Sequence, residues 1–477
     1  MDIYQRKPDV VAFSCYIWNL EFVQDIAADL YKVLPDLEIW GGGPEVSYDA
    51  EKFLAKHPEF RGIMKGEGER TFCELAGLYQ IYGKEAVNKL DECMVLYGET
   101  RKEISQGLPQ APISLDEVPF IYEEYENMMP FENRILYYET SRGCPFSCSY
   151  CLSSIDKRVR LRSMELVEKE LQFFLDHKVP QVKFVDRTFN CNHRHSMAIW
   201  RYIKEHDNGI ANFHFEIAAD ILNEEEMDLL ATFRPGLAQL EIGVQSTNIQ
   251  TIHEIDRVMD FDMVTQKVQR VASAENIHQH LDLIAGLPYE NLESFKKSFN
   301  DVYRLRSQQF QLGFLKVLKG SKMHEKAGEY GIVYHTRPMY EVLSTNWLTY
   351  DEVIYLKGIE EMVEVYYNSC QFRCTMLALE AEFDTPFAMY EALAEYYEEN
   401  GLNGLKHSRM GRFDILHDFI LSYVKKEHAP KYEDDLLMDL YLREKSKSRP
   451  SWAADLSGYK SEIQEFFQKR SGGKNVI

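Results

Sequence analysis

The chain is short of the features that mark a membrane or secreted protein. It has no apolar run of about eighteen residues, so nothing in it reads as a membrane span. Its start, MDIYQRKPDVVAF, lacks the long apolar stretch of a signal peptide. Positive charge is scarce: 54 Lys and Arg against 76 Asp and Glu leave a net charge of −22. That argues against broad binding to nucleic acid or to an acidic membrane, since those surfaces need clustered cations. Cysteine is sparse as well, nine in 477 residues, an odd count spaced unlike a secreted disulfide framework. A reducing cytoplasm is the expected location. Internal repeats and low-complexity tracts are missing too. No Gly-Lys-Ser/Thr follows the glycines Gly41, Gly42 and Gly43, so they do not form a phosphate loop.

What is present suffices for two or three domains, with 45% hydrophobic and 13% aromatic residues to bury. The first ninety or so residues alternate strand and helix signals, from the β-rich DVVAFSCYI to the helical NLEFVQDIAADLYKVL and on through LEIWGGGPEVS. Such alternation implies a parallel sheet, although only about two units are visible. Residues 94–133 are richer in turn signals and acids, and GLPQAPISLDEVPF reads as a connection between domains. From Arg134 the alternation resumes in six strand candidates: RILYYETS, VPQVKFVD, ANFHFEIAA, LAQLEIGVQS, HQHLDLIAGLP and QFQLGFLKVL. Six βα units are too few for a closed eight-stranded barrel and suit a partial one, with its chemistry at the C-terminal strand ends. Beyond about Gly320 the pattern turns mostly helical. The expected domains are therefore 1–93, 94–133 as linker, 134–325 and 326–477.

Three of the nine cysteines, Cys144, Cys148 and Cys151, crowd into SRGCPFSCSYCLSS, directly after the first barrel strand. A loop rich in Gly, Pro and Ser can wrap thiolates around a metal without helical constraint. Three thiolates would hold an iron–sulfur cubane and leave one iron without a protein ligand, the open position that a catalytic metal needs. The alternatives are buried unliganded thiols or a zinc site. Zinc would want a fourth ligand, for which Cys191, His193 and His195 are the nearest candidates.

The run CPFSCSYC resembles the C-x3-C-x-aromatic-C signature of radical S-adenosylmethionine (radical SAM) enzymes, with Tyr150 as the aromatic. The resemblance implies a 4Fe–4S cluster on the three cysteines. It also implies S-adenosylmethionine (SAM) chelated to the fourth iron, reductive cleavage to a 5′-deoxyadenosyl radical, and contact of Tyr150 with the adenine. Further strand ends are similar in order. Asp186, in KFVDRTFN, matches the Asp-x-x-Phe ending of the cobalamin-associated subgroup, where it would meet the SAM amino group; a helix cap or turn acid is the alternative. Glu216, in FHFEIAAD, would reach the ribose hydroxyls, or else pair with an interior arginine. In LEIGVQSTN, Glu241, Gly243 and Gln245 share one face by period two, and Gln245 and Ser246 sit at the catalytic end. Arg257, in HEIDRVMD, would hold the SAM carboxylate, against the alternative of a surface ion pair. In HLDLIAGLPYEN, Ile284 and Gly286 would pack the adenine, and Asp282 is an interior acid. FQLGFLKVLKGSKM is similar to the last strand, with Gly320 and Ser321 where Gly-Thr is commoner.

WGGGPEVS and KGEGERTF resemble the later part of the cobalamin-binding domain that precedes some of these barrels, with Gly41, Gly42 and Gly43 near the nucleotide tail. Two departures count against cobalamin: the domain's first strand and helix are missing, and no Asp-x-His-x-x-Gly supplies a lower ligand. A structural remnant is the rival reading. The basic stretch DKRVRLRS just past the cysteines suits a SAM carboxylate, an anionic substrate, a reductase or simply solvent. Cys370 and Cys374 fall at i, i+4 on an expected helix, too few for a cluster of their own. The tyrosine-rich C-terminus resembles an uncharacterised helical domain that follows some cobalamin-type barrels.

The expected architecture is thus α/β: a partial (β/α)6 radical SAM barrel after a truncated Rossmann-like cobalamin-binding-type domain and before a helical domain. The expected activity is radical SAM methyl transfer to an unactivated carbon with cobalamin. Without cobalamin, the alternatives are rearrangement, oxidation or cyclisation. A non-catalytic iron–sulfur electron-transfer or sensing module is a further one. A one-electron reductase such as flavodoxin or ferredoxin is the expected partner, and the substrate is left open.

Overall fold

The structure is a computed structural model that describes residues 1–86, 98–100, 112–125, 131–443, 450–453, 457–462 and 465. It divides into two compact units, Met1–Lys357 and Gly358–Ile477.

The first unit opens with α1 (Asp2–Arg6), β1 (Val10–Ser14), α2 (Leu20–Val33), β2 (Glu38–Gly42), α3 (Pro44–Ser47), α4 (Ala50–Lys56), β3 (Phe60–Met64) and α5 (Gly68–Tyr82). Strands β1, β2 and β3 pair in parallel, and β4 (Gly98–Thr100) closes the sheet antiparallel to β3. Helix α2 presents Leu20, Val23, Ala27 and Leu30 at helical spacing, and these bury against Ile39, Phe60 and Ile63 of the sheet. At about 25 cal/mol per Å2, such burial is what holds a short three-strand parallel sheet together.

The second sheet carries the six strands read from the sequence: β5 (Leu136–Tyr138), β8 (Gln181–Phe184), β9 (Asn212–Ile217), β10 (Ala238–Gln245), β11 (His278–Ala285) and β12 (Gln309–Phe314). They lie in the order β12-β11-β10-β9-β8-β5 and are parallel throughout, which makes an open partial barrel. Between β5 and β8 the chain forms an antiparallel ribbon, β6 (Ser141–Arg142) with β7 (Arg160–Leu161), then α6 (Met164–Asp176). The remaining helices are α7 (His193–Glu205), α8 (Glu224–Leu230), α9 (Ile249–Glu254), α10 (Phe261–Ala272), α11 (Leu292–Tyr303) and α12 (Lys322–Lys326). Several open on a side-chain cap: Asn192, Asn223, Asn248, Asp260 and Asn291 each accept from a backbone N–H of the first turn. These caps end each strand-to-helix loop sharply and leave the loops on one rim. On the outer face, Phe184, Phe189, Trp200, Phe213 and Phe215 pack ring on ring beneath α7. A small ribbon, β13 (Val333–Tyr334) with β14 (Val342–Ser344), follows the barrel.

Three expectations change. HRHSMAIWRYIKE is helix α7, and its histidines pair with neighbouring side chains. His193 Nδ1 lies 3.0 Å from Glu226, and His195 Nε2 lies 3.1 Å from the Thr140 hydroxyl. Among the described residues no group of three or more His, Cys, Asp and Glu is gathered to hold a single metal ion. Within the expected linker, 98–100 form β4 of the first sheet, and 112–125 pack on the barrel: Ile113 and Leu115 are buried, and Phe120 meets Tyr138, Phe173 and Phe174 edge to face. The start of GLPQAPISLDEVPF lies outside the described residues.

The third concerns the second unit. Helix α13 (Tyr350–Val363) runs on through a wider turn to Asn368 and stops. Cys370 sits in the loop at φ 53°, and α14 (Arg373–Leu379) begins only after it. Cys370 and Cys374 therefore do not share a helical face. The unit continues with α15 (Pro386–Glu399), α16 (Arg409–Tyr423) and α17 (Ala429–Arg443). Several of its tyrosines are core: Tyr366, Tyr390 and Tyr397 are buried, and the hydroxyls of Tyr366 and Tyr397 lie 2.9 Å apart, whereas Tyr423 is exposed.

Candidate active site

Cys144, Cys148 and Cys151 emerge from the β6–β7 ribbon at the C-terminal rim of the barrel. Gly143 makes that exit possible. It holds φ 98°, and a Cβ there would collide with the Arg158 carbonyl. The ribbon thus folds over itself tightly enough to turn three thiols towards one cavity of about 510 Å3. The opposite walls of that cavity come from four strands: Glu216 from β9, Glu241, Gly243 and Gln245 from β10, Ile284 and Asp282 from β11, and Lys316 just past β12. All three thiols line this one cavity.

Arg257 organises the floor. Its Nη1 lies 3.6 Å from Cys148 Sγ and 3.3 Å from the Tyr150 hydroxyl, its Nη2 donates to the Gly243 carbonyl, and its Nε has no partner. It is a half-buried cation set against sulfur, and the surface ion pair allowed by the sequence is not what forms. Gln245 holds φ 72° at a register shift between β10 and β11, with its buried Oε1 unpartnered. Backbone strain of this kind, with an orphaned acceptor facing a cavity, is common at ligand sites. Gly243 leaves room for that side chain, since a Cβ would strike the Gln245 amide.

The carboxylates divide by environment. Burial raises Glu216 to about 7, although Arg187, 3.9 Å away, pulls the other way. Burial also works on Glu241, but His214 and Lys183, at 3.0 and 2.9 Å, more than offset it and bring that group down to about 2. The barrel mouth therefore holds one firmly ionised acid and one poised near neutrality.

Not every residue singled out in the sequence reaches the cavity. Asp186 is fully buried and accepts from Thr140 N at 2.8 Å, Thr140 Oγ1 at 2.6 Å and Ser141 Oγ at 2.8 Å. It ties the end of β8 to the end of β5 and has no free face for SAM. Ser246 is likewise buried and bonds Glu290 at 2.6 Å. Gly286, at φ 89°, lies against Val342, where a Cβ would approach to 2.8 Å, and does not line the cavity. Lys316, Arg187 and Thr188 line it and were not read from the sequence. Their positions just past strand ends were the available signal.

A second cavity, of about 1000 Å3, opens at the C-terminal ends of β1, β2 and β3. Gly42, Gly43, Gly66 and Gly68 give it walls with little side chain, and Gly43 at φ 99° passes so close to Cys15 that a Cβ would lie 2.6 Å from its carbonyl. Gly41 points away, towards Ile63. No histidine is among the described residues that line it. Its far wall is Glu139, Arg142 and Val185 of the barrel. Arg142 bonds Glu69 at 2.8 Å and Glu139 at 2.7 Å, and Arg160 pairs with Glu67. Both strands of the cysteine ribbon are thus clamped to the loop after β3. Such an open, glycine-walled space of this volume fits a broad planar ligand, and the three-thiol cavity fits a cluster with a small polar ligand beside it.

Residues 138–302 match the Radical SAM superfamily. The barrel is a radical SAM domain. Residues 2–76 match the B12 binding domain, and residues 328–477 match a family described as "Protein of unknown function (DUF4080)". The chain is 25% identical to the 2-(S-pantetheinyl)-carbapenam-3-carboxylate methyltransferase of Streptantibioticus cattleyicolor, over 95% of this chain and 68% of that one. It is also 25% identical to the cobalamin-dependent radical SAM methyltransferase TokK of Streptomyces tokunonensis, over 96% and 73%. Among solved structures, TsrM from Kitasatospora setae, a radical SAM methyltransferase with cobalamin and a [4Fe-4S] cluster bound, has the same fold. The TM-score is 0.58 at 14% identity, covering 92% of this chain and 90% of that one.

Proposed function

We propose that this radical SAM enzyme transfers a methyl group to an unactivated carbon, using SAM, a 4Fe–4S cluster and cobalamin. The observation that carries the reading is the clamp between the two cavities: Arg142 and Arg160, either side of the cysteine loop, bind Glu67 and Glu69 at the rim of the glycine-walled cavity. The cobalamin-dependent methyltransferase relatives support it.

In this reading Cys144, Cys148 and Cys151 hold the cluster, and Gly143 sets the loop that presents them. Arg257 neutralises the thiolate of Cys148 and fixes the Tyr150 hydroxyl. Gln245 offers its unpartnered carbonyl oxygen to a donor on SAM, and Glu216 meets the ribose. Ile284 supplies apolar contact to the adenine. Gly42 and Gly43 admit the corrinoid against bare backbone. With these groups bound, the cluster and SAM supply a primary carbon radical, and cobalamin supplies a methyl carrier. The protein's own part is positioning and exclusion of water. Lys157 and Arg158, exposed beside the cluster loop on an otherwise acidic chain, suit docking of an acidic one-electron donor such as flavodoxin or ferredoxin.

The test is anaerobic purification with cobalamin supplied, cluster reconstitution, and assay with SAM and a low-potential reductant. The expected result is bound corrinoid by absorbance, with 5′-deoxyadenosine and S-adenosylhomocysteine formed. Corrinoid-free protein that makes neither product overturns the reading. The triple variant Cys144→Ala, Cys148→Ala, Cys151→Ala is expected to lose the cluster absorbance.

A further inference from the structure

The two cavities belong to different sheets, and a methyl group can cross between them only if the sheets are held in register. The Arg142–Glu69 clamp holds one side. On the other side, the segment just past β12 touches both cavities. Lys316 lines the cysteine cavity, and four residues later Gly320 holds φ 84°, where any Cβ would strike the ring of Tyr48, a wall of the glycine-lined cavity.

Between these ends runs a continuous polar seam. Glu45, in α3, is 2% exposed, and its carboxylate accepts from the Tyr340 hydroxyl at 2.8 Å. Lys319 Nζ lies 3.0 Å from the Asp49 carboxylate and 3.4 Å from the Glu45 carbonyl. Tyr340 is tied back to the same segment, because Val317 N donates to its carbonyl at 3.0 Å. A buried carboxylate with one side-chain donor is costly when that donor is lost, so the seam has one favoured closure. Its residues stand outside both cavities and touch neither cofactor space.

We propose that Tyr340 and Lys319 are positioning residues, which hold α3 against the exit of β12 and so set the distance between the SAM cavity and the cobalamin cavity. The proposal rests on the methyl-transfer reading for its consequence, but its geometry can be tested apart from it.

The full chain is used, with Tyr340→Phe and Lys319→Met as the variants and Lys319→Arg as the conservative control. Hydrogen exchange of the cofactor-free chain comes first. Faster exchange is expected at 44–56 and 316–320, with β9, β10 and β11 unchanged. Equal exchange in wild type and both variants overturns the seam, whether or not the protein binds a corrinoid. Absence of corrinoid would overturn the proposed function alone.

The reconstituted chain is then given SAM, cobalamin and titanium(III) citrate as one-electron reductant. S-adenosylhomocysteine forms when the S–CH3 bond breaks, sulfur keeps the bonding pair and the methyl carbon bonds to reduced cobalt; this needs both cavities in register. 5′-Deoxyadenosine forms within the barrel alone. In Tyr340→Phe and Lys319→Met, S-adenosylhomocysteine formation is expected to fall about tenfold, as small misplacements of reacting groups commonly cost. 5′-Deoxyadenosine formation is expected to hold, and Lys319→Arg to restore the first product. A parallel fall of both products overturns the positioning role and leaves a merely structural one.

Discussion

Arg257 shows what one side chain decides at this site. It is half-buried against Cys148, Tyr150 and the Gly243 carbonyl, with one N–H left over. A hydrogen bond from a charged donor contributes about 1.5–3 kcal/mol. Arg257→Gln is therefore expected to weaken SAM binding by roughly ten- to a hundredfold, measured by equilibrium dialysis on reconstituted protein, with iron content unchanged. Unchanged SAM affinity would remove Arg257 from the site. Glu216 carries a different prediction. Burial lifts it to about 7, with Arg187 and Lys183 opposing and Glu241 and Asp282 assisting. Between the unfolded value near 4.5 and about 7, the folded chain holds a proton that the unfolded chain has lost. Stability from this group therefore falls as pH rises through that window and is level above it. The effect is on the order of 3 kcal/mol. Urea midpoints of the cofactor-free chain at about pH 5 and pH 8 check it: Glu216→Gln should flatten the fall, and parallel curves would refute the assignment.

At the scale of elements, the strand ends carry the structure of the rim. Asp186 was read as a ligand of the SAM amino group because the pattern Asp-x-x-Phe sits at a strand end. In the fold its oxygens are spent on Thr140 and Ser141, and it joins β8 to β5. Sequence spacing located this acid correctly along the strand. It could not reveal the partner, which comes from another strand 46 residues earlier. Asp186→Asn turns an NH2 towards hydroxyl and amide donors and should cost about 2–3 kcal/mol. A lower thermal midpoint in cofactor-free protein is the expected result; a change in SAM affinity with no loss of stability would favour the ligand role instead. Gly143 belongs to the same rim. Gly143→Ala sets a Cβ against the Arg158 carbonyl in a backbone conformation that alanine resists. Reconstituted iron per chain is expected to fall by about half or more. The six strands themselves were legible because apolar and polar residues alternate along them, most regularly in β10. Helix α7 was not, because its first turn is polar and its histidines, His193 and His195, imitate metal ligands.

Over the whole molecule, the first unit joins its two sheets by charges far apart in the chain. Arg160 and Glu67 are 93 residues apart, and Arg142 and Glu69 are 73. Partly buried pairs of this kind cost more to break singly than they contribute as a pair, because the remaining charge is stranded. Arg160→Met should lower the thermal midpoint and speed hydrogen exchange in the cysteine ribbon and at the start of α5, leaving β9–β11 unaffected. Uniform exchange across the first unit would mean that the clamp is incidental. Among the described residues no helix is long and apolar enough to cross a membrane.

The sequence by itself determined the six barrel strands, the cysteine loop and the chemistry that three closely spaced thiols can support. These rest on local spacing, periodicity and residue type. Only the tertiary structure decided which polar residues face the cavity. It turned Arg257 and Gln245 inward, spent Asp186 on Thr140 and Ser141 and Ser246 on Glu290, and put Cys370 in a loop apart from Cys374. It also brought Glu67, Glu69 and Glu45 of the first sheet against Arg160, Arg142 and Tyr340 of the second. A side chain's partner is set by where distant strands cross, and no periodicity along one strand carries that information.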